Sequence, residues 1–236
     1  MLQHYINLFL FRIYPYVALS VFFIGSWLRY DRAMYTWRTG SSQLLSDRGM
    51  RLGSNLFHIG ILMVLTGHLV GLLTPHWVYA IFITSAQKQM LAMVVGGVFG
   101  VVCLVGISIL LLRRLTNPRI RATGTFADSM ILILLFLQLL LGLGTLIPSS
   151  HHLDGSTMLL LADWAQHMVT FRSQPVEALM SVSWIYKTHI FLGLTLFLLA
   201  PFTRLVHVWS IPLSYLWRPY QLVRRRQPTL DARSPQ

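Results

Sequence analysis

The chain has 236 residues, of which 55% are hydrophobic and only 11% are charged, and its mean hydropathy is +0.60. This composition excludes an ordinary soluble domain and predicts an integral membrane protein surrounded by lipid. The formal net charge of +12 does not indicate nucleic-acid binding, because the basic residues flank apolar segments instead of forming one basic motif. The single cysteine, Cys103, excludes a site built from several thiolates of this chain, so metal chemistry would depend on histidine.

Five apolar segments are long enough to cross a hydrocarbon core of about 30 Å as helices. The predicted fold class is therefore all-α, an integral membrane bundle of five transmembrane helices. Pro15 should kink the first segment, and Arg12 lies within it, where snorkelling would carry the guanidinium to a membrane face. The segments cover roughly residues 5–28, 55–75, 89–112, 126–147 and 184–206, with one amphipathic helix expected over residues 158–169.

The basic residues predict the orientation. Five lie between the first and second segments, four between the third and fourth, and six from the end of the fifth onward, which makes 15 of the 19 in the chain. All 15 fall on one side of a five-helix bundle, and basic residues in short loops stay cytoplasmic. We therefore expect the N-terminus outside and the C-terminus in the cytoplasm. Residues 1–225 should form the transmembrane domain and residues 226–236 a polar cytoplasmic tail.

The second and fifth segments each carry two histidines, and an ionisable residue inside a membrane is expected to be functional when a partner can be named. Because the two segments run in opposite directions, antiparallel packing pairs His58 with His207 toward the cytoplasm. It pairs His68 with His189 toward the outer face. Ten residues span about 15 Å of helix and eighteen span about 27 Å, so tilt, ring reach or a bend near Pro201 must absorb roughly 12 Å.

Two stacked pairs of imidazoles are what two b haems require as axial ligands, whereas zinc would need more ligands than each pair supplies. We therefore predict two haem b groups with iron bound by the four histidines. Gly60, Gly67 and Gly71 fall within a narrow arc of the second segment, and a flat macrocycle needs side chains removed where it meets a helix. The alternative is close helix packing, since Gly67 and Gly71 form a GxxxG pair.

An electron donor is expected at the outer end, near His68. None of the seven acidic residues falls in mid-membrane, which favours electron transfer over a proton relay. Lys88 opens the third segment and could hydrogen-bond a quinone oxygen together with the free ring nitrogen of His68. The alternative for Lys88 is an interfacial lysine among lipid headgroups. Arg204, three residues before His207, either pairs with a haem propionate or marks the cytoplasmic interface.

Several motifs together resemble the gamma subunit of respiratory nitrate reductase, and the likeness spans nearly the whole chain. They are GSWLRYD at 25–31, SNLFHIGI at 54–61, GH at 67–68, LTPHW at 73–77 and RLVHVWSIP at 204–212. The resemblance implies a dihaem cytochrome b of the bacterial inner membrane that serves anaerobic nitrate respiration. It implies haem ligation by His58 with His207 and by His68 with His189, and a quinol site at Lys88.

The resemblance also implies partners. Quinol would be oxidised near the outer face, releasing protons there. Electrons would pass to a cytoplasmic iron–sulfur beta subunit and then to a molybdenum-containing alpha subunit that reduces nitrate. Two alternatives remain from the residues alone: a cytochrome b subunit that serves a hydrogenase or a formate dehydrogenase, and a haem-free transporter or assembly protein.

Overall fold

The fold was analysed in a computed structural model, which describes residues 2–37, 49–172 and 176–209. The described residues form helices, turns and loops without a strand, and five helices are long and apolar enough to cross a membrane. The prediction of an all-α bundle with five membrane helices is confirmed. We number these helices as spans one to five: His4–Arg32, Met50–Leu73, Ser85–Thr116, Phe126–Ser150 and Trp184–Phe202.

Span one changes its helical bonding where proline interrupts it. The helix Leu2–Leu8 continues into a π-helical turn, Phe9–Ile13, and then into the helix Tyr14–Arg32. Pro15 has no N–H to donate to the carbonyl four residues earlier, and its ring crowds that carbonyl, so the turn before it widens. The distortion expected at Pro15 is thus a π-helical turn, and the whole segment remains one span.

Side-chain caps fix where spans three and four begin. Thr84 accepts a hydrogen bond from the backbone of Gln87, and the Gln87 side chain accepts one from the backbone of Thr84. Thr125 and Asp128 form the same reciprocal capping box at the start of the helix Phe126–Gly144. Because such caps satisfy the N–H groups that a first helical turn leaves unpaired, they define these helix ends sharply. After the helix Phe126–Gly144, span four ends in a short helical segment, Leu146–Ser150.

Span five ends as a regular helix just before Pro201. Its α-helix runs Trp184–Leu199 and is followed by a 3₁₀ turn, Ala200–Phe202, and an extended Thr203. A second 3₁₀ segment, Arg204–Trp209, then carries the last described residues. Of the three ways considered to absorb the mismatch in spacing, the structure shows the break near Pro201, because proline removes a hydrogen bond that a continuous helix would need.

The spans pack in a row. Span two lies along span three, span three on span four, span four on span five, and span five on span one. Glycine permits the closest approach: a Cβ on Gly60 would lie 2.6 Å from the backbone nitrogen of Cys103. A Cβ on Gly106 would meet the backbone of Phe57. Spans two and five do not pack closely on each other, and their facing imidazoles lie between them.

A helix between spans four and five, Ser156–Val169, covers one end of the bundle. It packs on spans two and three, and the indole nitrogen of Trp164 donates to the carbonyl of Phe11 at 3.0 Å. The amphipathic helix expected over residues 158–169 is therefore present.

We call the end covered by this helix the Lys88 end and the opposite end the Arg204 end. Arg29 and Arg114 lie at the Arg204 end, since Arg29 donates to the carbonyls of Pro201 and Thr203, and Asp128 joins Arg114 to Arg204. Arg38, Arg48 and the predicted tail, residues 226–236, lie outside the described residues, so the tail and the assignment of each end to a side of the membrane stay predictions.

Candidate functional site

The four histidines of spans two and five meet as two pairs. The ring centroids of His58 and His207 lie 6.2 Å apart, and those of His68 and His189 lie 6.1 Å apart. The structure therefore brings together the residues that antiparallel packing pairs. The break at Pro201 resolves the mismatch in spacing, since the chain leaves the helical path before it reaches His207.

Three of the four imidazoles are held through the same ring nitrogen. Nδ1 of His58 lies 2.7 Å from the carbonyl oxygen of Ser54, and Nδ1 of His68 lies 2.8 Å from that of Val64. Nδ1 of His207 lies 2.6 Å from the carbonyl oxygen of Arg204. A carbonyl accepts only from a protonated nitrogen, so these bonds select the tautomer with hydrogen on Nδ1. The lone pair of Nε2 is then available, which is the arrangement typical of a metal-ligating histidine.

His189 is held differently, by span four. Its Nδ1 is buried without a hydrogen-bond partner among the described residues, and its Nε2 lies 3.4 Å from Nε2 of Gln138. The Gln138 amide donates to the backbone carbonyl of His189 at 3.1 Å. A Cβ on Gly142 would lie 3.0 Å from Cε1 of the His189 ring, and a Cβ on Gly193 would lie 3.1 Å from the Gln138 amide nitrogen. Span four therefore shapes this half of the site.

Sequence reasoning missed Gln138 and Gly142. A signal existed, because Gln138 is an uncharged polar side chain in the middle of a span whose mean hydropathy reaches 2.6. Such a residue needs a partner in the bundle interior. Gly193 lies four residues after His189, and its missing side chain makes room for Gln138.

The spacing of each pair fits a haem iron between the rings. A metal–imidazole bond of about 2 Å, with roughly 1.1 Å from ring nitrogen to ring centre, puts two axial imidazoles roughly 6 Å apart between centroids. In the part of the chain that the structure describes, no group of three or more His, Cys, Asp or Glu side chains assembles. Two protein ligands are the number that a bis-histidine haem takes, since the porphyrin supplies the other four.

The three glycines assigned to the haem cradle have different neighbours. Gly60 is buried against Cys103 of span three, so its missing side chain serves helix packing. A Cβ on Gly67 would meet no other described atom within 4 Å, and one on Gly71 would lie 3.2 Å from Met158 of the covering helix. Of the three, Gly67 is the one beside open space.

Lys88 does not lie among lipid headgroups. Only 7% of the residue is exposed, and its Nζ lies 3.7 Å from the ring centroid of Tyr79 and 3.5 Å from the carbonyl oxygen of Thr74. Gln166 of the covering helix donates to the same carbonyl at 3.3 Å. The alternative of a snorkelling lysine was therefore wrong. The amine is thus held by a π face and a carbonyl, with no carboxylate within ion-pair distance among the described residues.

The other ring nitrogen of His68, expected to bind a quinone with Lys88, is hydrogen-bonded to the carbonyl of Val64. A quinone oxygen would share or replace that bond, so this role stays a prediction.

Arg204, expected either to pair with a haem propionate or to mark the cytoplasmic interface, forms an ion pair inside the protein. Its Nε donates to Oδ1 of Asp128 at 2.8 Å, and Oδ2 of the same carboxylate accepts from Arg114 at 3.2 Å. Pairing of Arg204 with a haem propionate stays a prediction.

Comparison with known proteins gives consistent results. The family model described as nitrate reductase gamma subunit matches residues 7–226. The Respiratory nitrate reductase 2 gamma chain of Escherichia coli (strain K12) is 55% identical over 223 residues, covering 94% of this chain and 99% of that one. The Respiratory nitrate reductase 1 gamma chain of the same organism is 54% identical over 95% of this chain and 100% of its own length.

A more distant relative, the Nitrate reductase gamma chain of Bacillus subtilis (strain 168), is 37% identical over 92% of this chain and 97% of its own length. All three relatives are named for nitrate reductase, and none for a hydrogenase or a formate dehydrogenase. The chain thus belongs to the nitrate reductase gamma subunit family and is a multi-pass inner-membrane subunit of an oxidoreductase complex that contains further subunits.

Proposed function

We propose that this chain oxidises quinol at the Lys88 end and delivers the electrons, through two b haems, to an iron–sulfur beta subunit and a molybdenum-containing alpha subunit at the Arg204 end. The haems, when bound, supply two one-electron redox centres at different depths in the membrane. His58 and His207 would hold the inner haem, and His68 and His189 the outer one. The observation that carries this proposal is the pair of imidazole separations, 6.2 Å and 6.1 Å, each matched to one iron.

The bonds at Nδ1 support the same assignment. In His58, His68 and His207 they orient the ring and raise the basicity of Nε2, as partners of ligating histidines do in metal sites. The open space beside Gly67 supports its place in the cradle of the outer haem.

Lys88 would bind the substrate. Oxidation of a quinol to a quinone releases two electrons and two protons, and partial negative charge develops on the oxygen that loses its proton. A buried ammonium at that oxygen stabilises the charge more strongly than an exposed one, because the local dielectric constant is low. Tyr79 and Thr74 hold Nζ in place by contacts that a quinol oxygen can replace.

The direction of proton release follows from orientation. Arginines that flank the spans, including Arg29, Arg114 and Arg204, gather at the Arg204 end, which we assign to the cytoplasm. Quinol oxidation at the opposite end would release its protons outside, while electrons cross inward. The complex would then separate charge without a proton channel.

The test uses the complex in its own membranes. A reduced quinol analogue added under anaerobic conditions should give the absorption bands of reduced b haem, and nitrate added afterwards should reoxidise them. The proposal fails if the purified complex shows no b-type spectrum, or if quinol-driven nitrate reduction proceeds while the haem bands stay unchanged.

A further inference from the structure

Asp128 connects three parts of the bundle at the Arg204 end. Its Oδ1 accepts a hydrogen bond at 2.8 Å from Nε of Arg204, which follows span five. Its Oδ2 accepts one at 3.2 Å from Arg114 of span three. Asp128 itself belongs to the first turn of span four, where its side chain and that of Thr125 form the capping box. One carboxylate therefore joins span three, span four and the segment that follows span five.

The Arg114 side of this cluster is tightly fixed. The Arg114 side chain is 9% exposed, and its Nε lies 3.3 Å from Oγ of Ser129. A Cβ on Gly124 would overlap the guanidinium group, so the loop before span four closes over Arg114. With Arg114 and the capping box both in place, the Asp128 carboxylate has a defined position from which to hold Arg204.

Arg204 is in turn hydrogen-bonded to His207. The second 3₁₀ segment begins at Arg204, and the Arg204 carbonyl accepts from Nδ1 of His207 at 2.6 Å. After the helix ends at Leu199, the segment that carries His207 is not positioned by a continuous helix. The ion pair between Asp128 and Arg204 supplies a fixed point three residues before the imidazole.

We propose that Asp128 is a positioning residue for His207: by holding Arg204 at the start of the 3₁₀ segment, it sets the place and the ring orientation of that histidine opposite His58. This inference rests on the proposed function, because it takes the His58–His207 pair as the ligands of the inner haem. The hydrogen bond at Nδ1 tunes how strongly an imidazole donates to a metal. Asp128 would therefore tune the inner haem from a distance, without touching it.

The experiment compares Asp128→Asn, Asp128→Glu and wild type in the intact complex, by redox titration of the b-haem bands and by electron paramagnetic resonance of the ferric haems. Asp128→Asn keeps the size of the side chain and removes its charge. We expect the haem that disappears in His207→Ala to titrate at a higher potential and to show a changed low-spin signal. The other haem should keep its potential, and Asp128→Glu should restore part of the inner-haem signal.

A matched control is Asp163→Asn in the covering helix, where the carboxylate lies 3.3 Å from His167 at the Lys88 end. It should leave both haems as in wild type. Unchanged haems in Asp128→Asn, or equal shifts of both haems, would overturn the positioning role while leaving two haems and the proposed function intact. A wild-type complex without haem would overturn both.

Discussion

The imidazole of His207 lies 6.2 Å from that of His58, measured between ring centroids, although a continuous helix would carry it well past that level. The reason is local. Pro201 ends the helix of span five, and Nη1 of Arg29 donates to the carbonyls of Pro201 at 2.6 Å and Thr203 at 2.8 Å. These bonds satisfy carbonyls that the broken helix leaves without N–H partners.

Replacing Pro201 with alanine should weaken this break. Proline in a helix interior costs about 3 kcal/mol relative to alanine, so removing it lowers the free energy of the continuous helix by roughly that amount. We expect Pro201→Ala to reduce occupancy of the inner haem and to leave the outer haem in place, as measured by haem content and difference spectra. Equal occupancy of both haems in this variant would contradict the role given to Pro201 in placing His207.

Lys88→Ala should weaken binding at the quinol site without removing haem. Hydrogen bonds to charged groups contribute about 1.5–3 kcal/mol, which corresponds to roughly ten- to hundredfold in affinity. Inhibitor titration of quinol-driven nitrate reduction measures the change.

The matched control for this prediction is Lys187→Ala, because Lys187 also lies near the Lys88 end and donates to a backbone carbonyl, that of Met180, at 3.0 Å. The control should bind the inhibitor as wild type does. If Lys187→Ala weakens the inhibitor as much as Lys88→Ala, the site does not centre on Lys88.

Gly142→Val should disturb the outer haem selectively. A Cβ at this position would lie 3.0 Å from Cε1 of His189, so the added side chain would displace the ring, at a cost of about 1–3 kcal/mol for overpacking. We expect loss or a shifted spectrum of the haem that also disappears in His189→Ala. Gly144→Val is the control, because its Cβ would meet Ile185 at an ordinary 3.7 Å. Equal effects of the two variants would count against a role for Gly142 at the haem.

Gly60→Ala and Gly67→Ala should separate helix packing from the haem cradle. At Gly60 the new methyl group would lie 2.6 Å from the backbone of Cys103, so spans two and three must move apart and the free energy of unfolding should fall by about 1–3 kcal/mol. At Gly67 the methyl group meets no other described atom of the protein, so packing between the spans should tolerate it. Thermal unfolding in detergent measures both variants, and an equally destabilised Gly67→Ala would contradict this difference.

The sequence predicts the five spans because hydrocarbon thickness demands about 20 apolar residues for each. It also predicts which imidazoles meet, since depth in the membrane follows from residue number along antiparallel helices. The histidines at 58, 68 and 189 lie on regular helices, where this arithmetic holds. His207 does not, and the exact form of the break after Leu199 depends on contacts from Arg29 that no local pattern reveals.

The surroundings of the site were less predictable. Whether a lysine near a helix start is buried depends on what covers it, and here the covering helix comes from residues 156–169, far along the chain from Lys88. Likewise, Gly60 and Gly67 both lie in the apolar part of span two, and the sequence does not distinguish their roles. Only the position of span three shows that Gly60 packs against Cys103 and that Gly67 does not. The pairing of Asp128 with Arg204, residues 76 positions apart, is a tertiary contact of the same kind.

The most direct measurement is the number of b haems per chain in the wild-type complex and in four variants that each replace one histidine with alanine. We predict two haems in wild type. His58→Ala and His207→Ala should lose the same haem, and His68→Ala and His189→Ala should lose the other. A wild-type complex without haem, variants that keep both haems, or losses that group His58 with His189 would contradict the proposal that iron is held between these pairs.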